Sequence, residues 1–188
     1  MIGYALCGSF CTLSRSLAVM RAMVKAGYEI QPILSERVAS TDTRFMTAEE
    51  LIRSVKEITG REPITTVEDA EPLGQISPLS HLIIAPCTGN TLAKIAHGVT
   101  DSAVTMAAKA HLRCDRPTLI ALASNDALSQ NLANISTLVS RKSVYFVPLL
   151  QDDPTAKPHS LVAELEMIPE AFCAMLRQRQ LRPLFLTK

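Results

Sequence analysis

The stretch that most constrains the fold is Leu82-Ile83-Ile84-Ala85 followed by Pro86-Cys87-Thr88-Gly89-Asn90-Thr91-Leu92-Ala93-Lys94-Ile95-Ala96-His97-Gly98. The first four residues have the length and composition of a buried strand. Pro86 is expected to end it. Small and polar residues follow, and a helical pattern then begins, with Asn90 or Thr91 as the expected N-cap. Such a strand-to-helix turn exposes backbone N–H groups, and the helix N-terminus adds partial positive charge. Thr88, Asn90 and Thr91 add side-chain donors. The turn is therefore competent for an anion, and a capped turn that binds nothing is the plainer alternative.

The same device opens the chain. Ile2-Gly3-Tyr4-Ala5-Leu6-Cys7 reads as a buried strand and Gly8-Ser9-Phe10-Cys11-Thr12 as the turn after it. Leu13, Leu17, Met20 and Val24 then recur at helical spacing, with Gly27 as the stop. Gly8 lets the backbone approach a ligand closely, and Ser9 offers a hydroxyl. The turn is neither the Gly-x-Gly-x-x-Gly dinucleotide fingerprint nor a Walker A loop.

Further strands are expected at Ile30–Leu34, Thr118–Ala123 and Val144–Pro148, with a short edge strand at Pro63–Val67. Residues 36–46 read as loop. Thr47-Ala48-Glu49-Glu50 is a capping box opening a helix to about Gly60. Pro72-Leu73-Gly74 and Ser77-Pro78 mark loop. Asp101 or Ser102 caps a helix over Ala103–Ala110, whose small residues suit close helix packing, within the monomer or across a subunit interface. Another helix is expected over Ala127–Val139. After the loop Gln151–Pro154, a C-terminal helix starts past Ser160, is interrupted near Pro169 and runs to about Gln180.

Strands alternating with helices imply a doubly wound parallel sheet in three layers, with strand order 2-1-3-4-5. The whole chain, residues 1–188, reads as one domain with its core over about 1–150. In that order the sheet reverses direction between strands 1 and 3. Gly8-Ser9 and Pro86–Thr91 then face one crevice, with Ser35 beside them and Ser124-Asn125-Asp126 at the same sheet edge. A phosphate-bearing ligand of mononucleotide type suits this donor-rich lining.

Composition excludes other classes. Formal net charge is +1 with no basic block, and Trp is absent, which argues against nucleic-acid binding. No apolar run is long enough to span a bilayer. The five cysteines show no Cys-x-x-Cys spacing and read as reduced thiols of a cytosolic protein. The four histidines form no metal-ligand motif, so no metal is expected.

The run from Pro86 through Ala93-Lys94-Ile95-Ala96-His97-Gly98-Val99-Thr100-Asp101 resembles the Pro-Ala-Ser-Ala-Asn-Thr motif and its continuation in the homo-oligomeric flavin-containing Cys decarboxylase-like flavoproteins. Cys87 and Gly89 depart in side chain; Asn90 and Thr91 are retained. The Gly8-Ser9 turn is similar to that family's first FMN-phosphate loop. A narrower resemblance rests on Ile2–Thr12, Ser124-Asn125-Asp126, Val144–Pro154 and Lys157–Ala163. It is to the family branch that forms one half of a two-component synthase of spore-forming bacteria.

This resemblance implies a flavodoxin-like (Rossmann-like) α/β fold with FMN held by Gly8, Ser9, Phe10, Ser35, Pro86, Cys87, Thr88, Gly89, Asn90, Thr91, Ser124 and Asn125. It also implies oxidation of a dihydrodipicolinate-type heterocycle to the aromatic pyridine dicarboxylate, in the cytoplasm of the mother cell. A partner A subunit would carry NAD or NADP, and the chain itself would form a homo-oligomer. An FMN-dependent decarboxylase and a scaffolding subunit are the alternative functions. The decarboxylases use a His in a helix near the flavin and a Pro-Ala-Met-Asn clamp. Here His81 precedes a strand, and the corresponding segment is Ala123-Ser124-Asn125-Asp126. Lys94, Arg37 and Arg44 are candidate cations for a dianionic substrate, each with a solvated surface charge as its plainer role. Asn125 and Asp126 are candidate hydrogen-bonding groups or N-caps.

Overall fold

The computed structural model describes residues 1–76 and 79–187; the expected loop at Ser77-Pro78 lies outside them. Five parallel strands form the body of the sheet in the expected order. β1 (Ile2–Leu6) lies between β2 (Ile30–Leu34) and β3 (His81–Thr88), and β4 (Thr118–Ser124) lies between β3 and β5 (Val144–Phe146). Registers run Ile2↔Ile30, Ile2↔His81, Leu82↔Thr118 and Thr118↔Val144. The strands are mostly apolar because both faces are covered: every residue of β1 and β4 is buried.

Helix α1 (Leu13–Lys25) and the C-terminal α8 (Ile168–Leu176) pack on each other and against the middle of the sheet. α5 (Gly89–His97), α6 (Ala103–Leu112) and α7 (Leu132–Val139) form a second connected group that also covers the sheet. α3 (Ala48–Thr59) begins at the expected capping box: the Thr47 hydroxyl accepts from Glu50 N–H, and Glu50 Oε2 accepts from Thr47 N–H at 2.8 Å. α6 buries Ala103, Val104, Ala107, Ala108 and Ala110 inside its own chain, and it packs on α5 and on the short α4 (Val67–Ala70).

Several local expectations are corrected. Pro86 does not end β3. The strand continues to Thr88, and its register against β4 shifts between Ile84 and Cys87, so the proline falls where the ladder is interrupted and no N–H is required of it. Residues 36–46 contain a helical turn, α2 (Glu36–Ser40). The expected edge strand at Pro63–Val67 reduces to one bridge, Ile33↔Ile64, before α4 starts at Val67. Glu71–Gly74 is a 3-10 turn rather than irregular loop. The helix expected from Ala127 begins only at Leu132. Pro169 opens α8 rather than interrupting a longer helix, as suits a residue that lacks an N–H.

The largest addition follows β5. β6 (Leu149–Leu150) and β7 (Leu161–Ala163) pair antiparallel, and β7 adds antiparallel to the end of β4, with Ala123↔Val162 and Ser124↔Leu161. The sheet is therefore mixed, with seven strands among the described residues. The excursion between β6 and β7 brings residues 151–160 to the carboxyl edge. Beyond α8 the chain turns back: Gln180 donates to Phe146 O at 2.7 Å and accepts from Phe146 N–H at 2.8 Å, so one side chain pairs with the backbone of β5.

Candidate functional site

The carboxyl ends of β1, β2, β3 and β4 open into two joined chambers that share Gly8, Thr88 and Asn90. The smaller, of about 400 Å³, is lined by those three residues with Ser35, Glu36, Arg37, Thr91, Lys94, Asp101 and Ser102. The larger, of about 690 Å³, adds Ser9, Cys11, Thr12, Gly89, Asn125 and Val162, together with Ser124, Asp126, Asp152, Lys157 and Ser160.

In the smaller chamber the cap of α5 is Thr88, not Asn90 or Thr91. Its hydroxyl accepts from Thr91 N–H at 3.2 Å and donates to Thr91 Oγ1 at 3.0 Å. This leaves the N–H groups of Gly89 and Asn90, at the first turn of α5, without intrahelical acceptors. Ser35 follows β2. Its backbone is committed, with N–H donated to Leu6 O and its carbonyl accepting from Val38 and Ala39. Its Oγ is buried and has no hydrogen-bond partner among the described residues. A buried hydroxyl without a partner costs about 1–3 kcal/mol, so this one is suited to an acceptor that enters the chamber. Charges here balance: Lys94 Nζ pairs with Asp101 at 2.7 Å, which holds that carboxyl below its usual range, and Arg37 stands with Glu36.

The larger chamber has a different chemistry. Asp126 accepts from the Ser124 hydroxyl and from Asn131 Nδ2, which reaches Oδ1 at 2.9 Å and Oδ2 at 3.0 Å. Ser124 first and Asn131 second hold the Asp126 carboxyl below its ordinary value, so it is ionised at neutral pH. Asn131 is itself fixed from Asn134 at 3.0 Å. Asp126 thus anchors a network instead of capping a helix. The network presses on Gly89, where a Cβ would meet Ser124 Oγ, come within 2.6 Å of Asn131 Nδ2 and within 2.9 Å of Asp126 Oδ1. Across the chamber Lys157 Nζ pairs with Asp152 at 3.1 Å. Burial opposes ionisation of Asp152, but the Ser160 hydroxyl and Lys157 outweigh it and keep the carboxyl below its usual range.

Nine of the twelve residues singled out from sequence line these chambers: Gly8, Ser9, Ser35, Thr88, Gly89, Asn90, Thr91, Ser124 and Asn125. Phe10, Pro86 and Cys87 line neither. Phe10 packs partly buried against the core, Pro86 accepts from Cys7 N–H at 3.2 Å, and Cys87 is fully buried. Burial drives the Cys87 thiol well above its ordinary pKa and pushes Cys7 up to about 11, so both stay protonated. Arg37 and Lys94 reach the smaller chamber, whereas Arg44 lies over the Phe45 ring at 4.8 Å.

Cys11, Asn131, Asp152, Lys157 and Ser160 are site residues that sequence reasoning misses. Asn131 falls inside an expected helix, although Asn is a poor interior helix residue. Asp152, Lys157 and Ser160 come from the β6–β7 excursion. His81 lies at the amino end of β3, stacked edge-on against Phe172 at 5.3 Å, at the opposite end of the strand from Thr88.

A family model described as Flavoprotein matches residues 1–171. The B subunit of dipicolinate synthase from Bacillus subtilis (strain 168) is 40% identical over 183 residues, which cover 97% of this chain and 92% of that protein. The crystal structure of the dipicolinate synthase B subunit from Bacillus halodurans C matches with a TM-score of 0.91 and 41% identity, over 100% of this chain and 96% of that one. The FMN-dependent cysteine decarboxylase SpaF has a TM-score of 0.68 at 22% identity, covering 94% of this chain and 95% of its own, and shares the fold. The chain belongs to the flavoprotein family and, within it, to the family of dipicolinate synthase B subunits.

Proposed function

We propose that this flavoprotein serves as the B subunit of a dipicolinate synthase. In this reading it binds FMN in the crevice and takes part in oxidising a dihydrodipicolinate-type intermediate to dipicolinate. It would do so in the mother-cell cytoplasm during endospore formation. The A subunit of the synthase would supply NAD or NADP, and further copies of this chain would complete a homo-oligomer. The observation that carries the ligand assignment is the unpartnered, buried Ser35 Oγ in the smaller chamber. It stands in a donor set with the α5 N-terminus, Thr88, Asn90 and Thr91, which suits a phosphate.

The residues present fit a flavin mononucleotide. Ser35, Gly8, Thr88, Asn90 and Thr91 would take its phosphate, and Ser9, Gly89, Ser124 and Asn125 would border the larger chamber beyond it. When bound, the flavin supplies two-electron redox chemistry that no side chain offers. Lys157 would draw a substrate carboxylate to the larger chamber. Asp126, held as a carboxylate by Ser124 and Asn131, would accept from a ring N–H and so orient the heterocycle. Ser124, Asn131 and Asn134 fix that acceptor in advance. A decarboxylase role is disfavoured by the position of His81, remote from both chambers.

The test is a visible spectrum of the purified chain after FMN addition and desalting, alone and with the A subunit, together with an assay for dipicolinate. A retained flavin band and flavin-dependent dipicolinate formation are expected. No retained flavin in either state, with dipicolinate still formed, would reject the redox role and leave a scaffolding subunit. That second reading draws on the larger chamber's charge: two carboxylates, Asp126 and Asp152, face one cation, Lys157, among the described residues. A dianion is then balanced only when the partner adds cations.

A further inference from the structure

Away from the crevice, the segment after α8 forms a concave site of about 480 Å³ lined by Ala174, Arg177, Arg179, Gln180, Leu181 and Arg182. It shares no residue with either chamber. Its platform is built, not a loose tail. α8 ends with Gln178 at a φ of 56°. The Arg179 N–H returns to Ala174 O at 3.0 Å, a reversal that satisfies the last carbonyls of the helix. Gln180 is held by its two bonds to Phe146. The chain then runs on beside β6, with Leu149 N–H donating to Leu184 O and Leu186 N–H to Leu149 O, each at 2.8 Å.

Three arginines therefore line one concavity on a fixed backbone. None of Arg177, Arg179 and Arg182 forms an ion pair among the described residues. The whole chain carries a net charge of only +1, so a local excess of three stands on a nearly neutral background. The C-terminus of α8 attracts cations, but its partial charge of about one half does not balance three. Arginine forks match phosphate oxygens in pairs, and the concavity has the volume of a small-molecule site rather than of a flat protein contact.

We propose that this groove is a second, independent anion site that takes a phosphorylated small molecule of nucleotide size. The arginines would bind its phosphates, and Leu181 and Ala174 would form the apolar floor beneath its remainder. The occupant's charge would complete the ion pairs that the chain leaves open.

Calorimetric titration of the wild-type chain with ADP at low salt tests this, with inorganic pyrophosphate as competitor. Binding by ADP, competition by pyrophosphate and weakening as salt rises are expected. Arg179→Gln with Arg182→Gln should weaken ADP at least tenfold, while Arg179→Lys with Arg182→Lys keeps part of it. FMN titration should be unchanged in both double variants, which separates this site from the crevice. The proposal fails if ADP does not bind wild type at millimolar concentration, or if the glutamine variant, shown folded by its thermal melt, binds it equally. It fails too if a decaglutamate peptide binds more tightly than ADP, which would make the groove a docking site for an acidic protein segment.

Discussion

Asn131 holds both carboxylate oxygens of Asp126 through one amide nitrogen, at 2.9 and 3.0 Å, directly against the backbone of Gly89. The two sides of the larger chamber thereby pack closely: the network around the carboxylate after β4 abuts the first residue of α5. A side chain at position 89 has no room, since its Cβ would contact all three members of the network.

Gly89→Ala should therefore destabilise the chain by about 1–3 kcal/mol, the usual cost of overpacking. Urea unfolding measures it. A loss under about 0.5 kcal/mol, the range of neutral surface changes, would show that the network gives way freely. Asn131→Ala made in the same background should then restore part of the loss, because it removes one of the contacts.

Ser35→Ala separates binding from folding. The hydroxyl has no partner among the described residues, so its removal should leave stability unchanged or raise it by up to about 1 kcal/mol. FMN affinity, read by flavin fluorescence quenching, should fall roughly tenfold, as for loss of a hydrogen bond to a charged group. Gly8→Ala makes a companion test. A Cβ there meets nothing nearer than 3.7 Å, at Arg37 and Phe10, so the fold should tolerate it while the ligand loses its close approach. Wild-type FMN affinity in both variants sinks the assignment of the smaller chamber.

Lys157→Gln should weaken, by about fivefold, the binding of pyridine-2,6-dicarboxylate to the complex with the A subunit. The value is modest because the lysine is exposed and already shared with Asp152. The loss should shrink as salt is raised. An effect on FMN affinity equal to that on the dicarboxylate would mean that Lys157 acts through the flavin and not on the substrate.

His111 should make the fold lose stability in acid. It is fully buried, and burial lowers its pKa to about 4, against the contribution of its bond to Pro117 O at 2.9 Å. The folded-state pKa is depressed, and the group is a base, so the unfolded chain takes up the proton first. Its contribution to stability is complete above about pH 6.5 and is lost as the pH falls from there towards about 4, by up to roughly 3 kcal/mol at about 1.4 kcal/mol per unit. His111→Gln keeps a donor for Pro117 O and should flatten stability over that window. Chemical unfolding at about pH 7 and about pH 5, on either side of the ordinary histidine pKa, compares the two chains.

The five-stranded order and the crevice between β1 and β3 are legible in the sequence because long apolar runs stop at Gly8-Ser9 and at Thr88–Thr91, and right-handed crossovers leave few arrangements. The end of β3 is not legible. A proline normally closes a strand, and only the shift of register against β4 shows why Pro86 can sit inside one. β6 and β7 escape notice because strands of two and three residues carry no periodicity, and Pro154 and Pro158 between them read as loop. With them go Asp152, Lys157 and Ser160. Topology alone puts Ser35 at the crevice, but its orphaned hydroxyl is a property of the packed structure, invisible in the residue string. Asp126 reads either as a hydrogen-bonding site group or as a helix cap, a common role of a short acidic side chain before a helical pattern; the later start of α7 frees it for Ser124 and Asn131.

The pairing of Gln180 with Phe146 has a consequence for how the molecules behave in company. A strand at the rim of a sheet offers its free N–H and C=O groups to any other extended chain, and this is a common first step of aggregation. β5 is such a rim, short and wholly apolar. One amide side chain, returning from beyond α8, fills both of the backbone groups of Phe146 that a foreign strand would seek. The tail that closes the fold thus also closes one rim of the sheet to unspecific strand pairing.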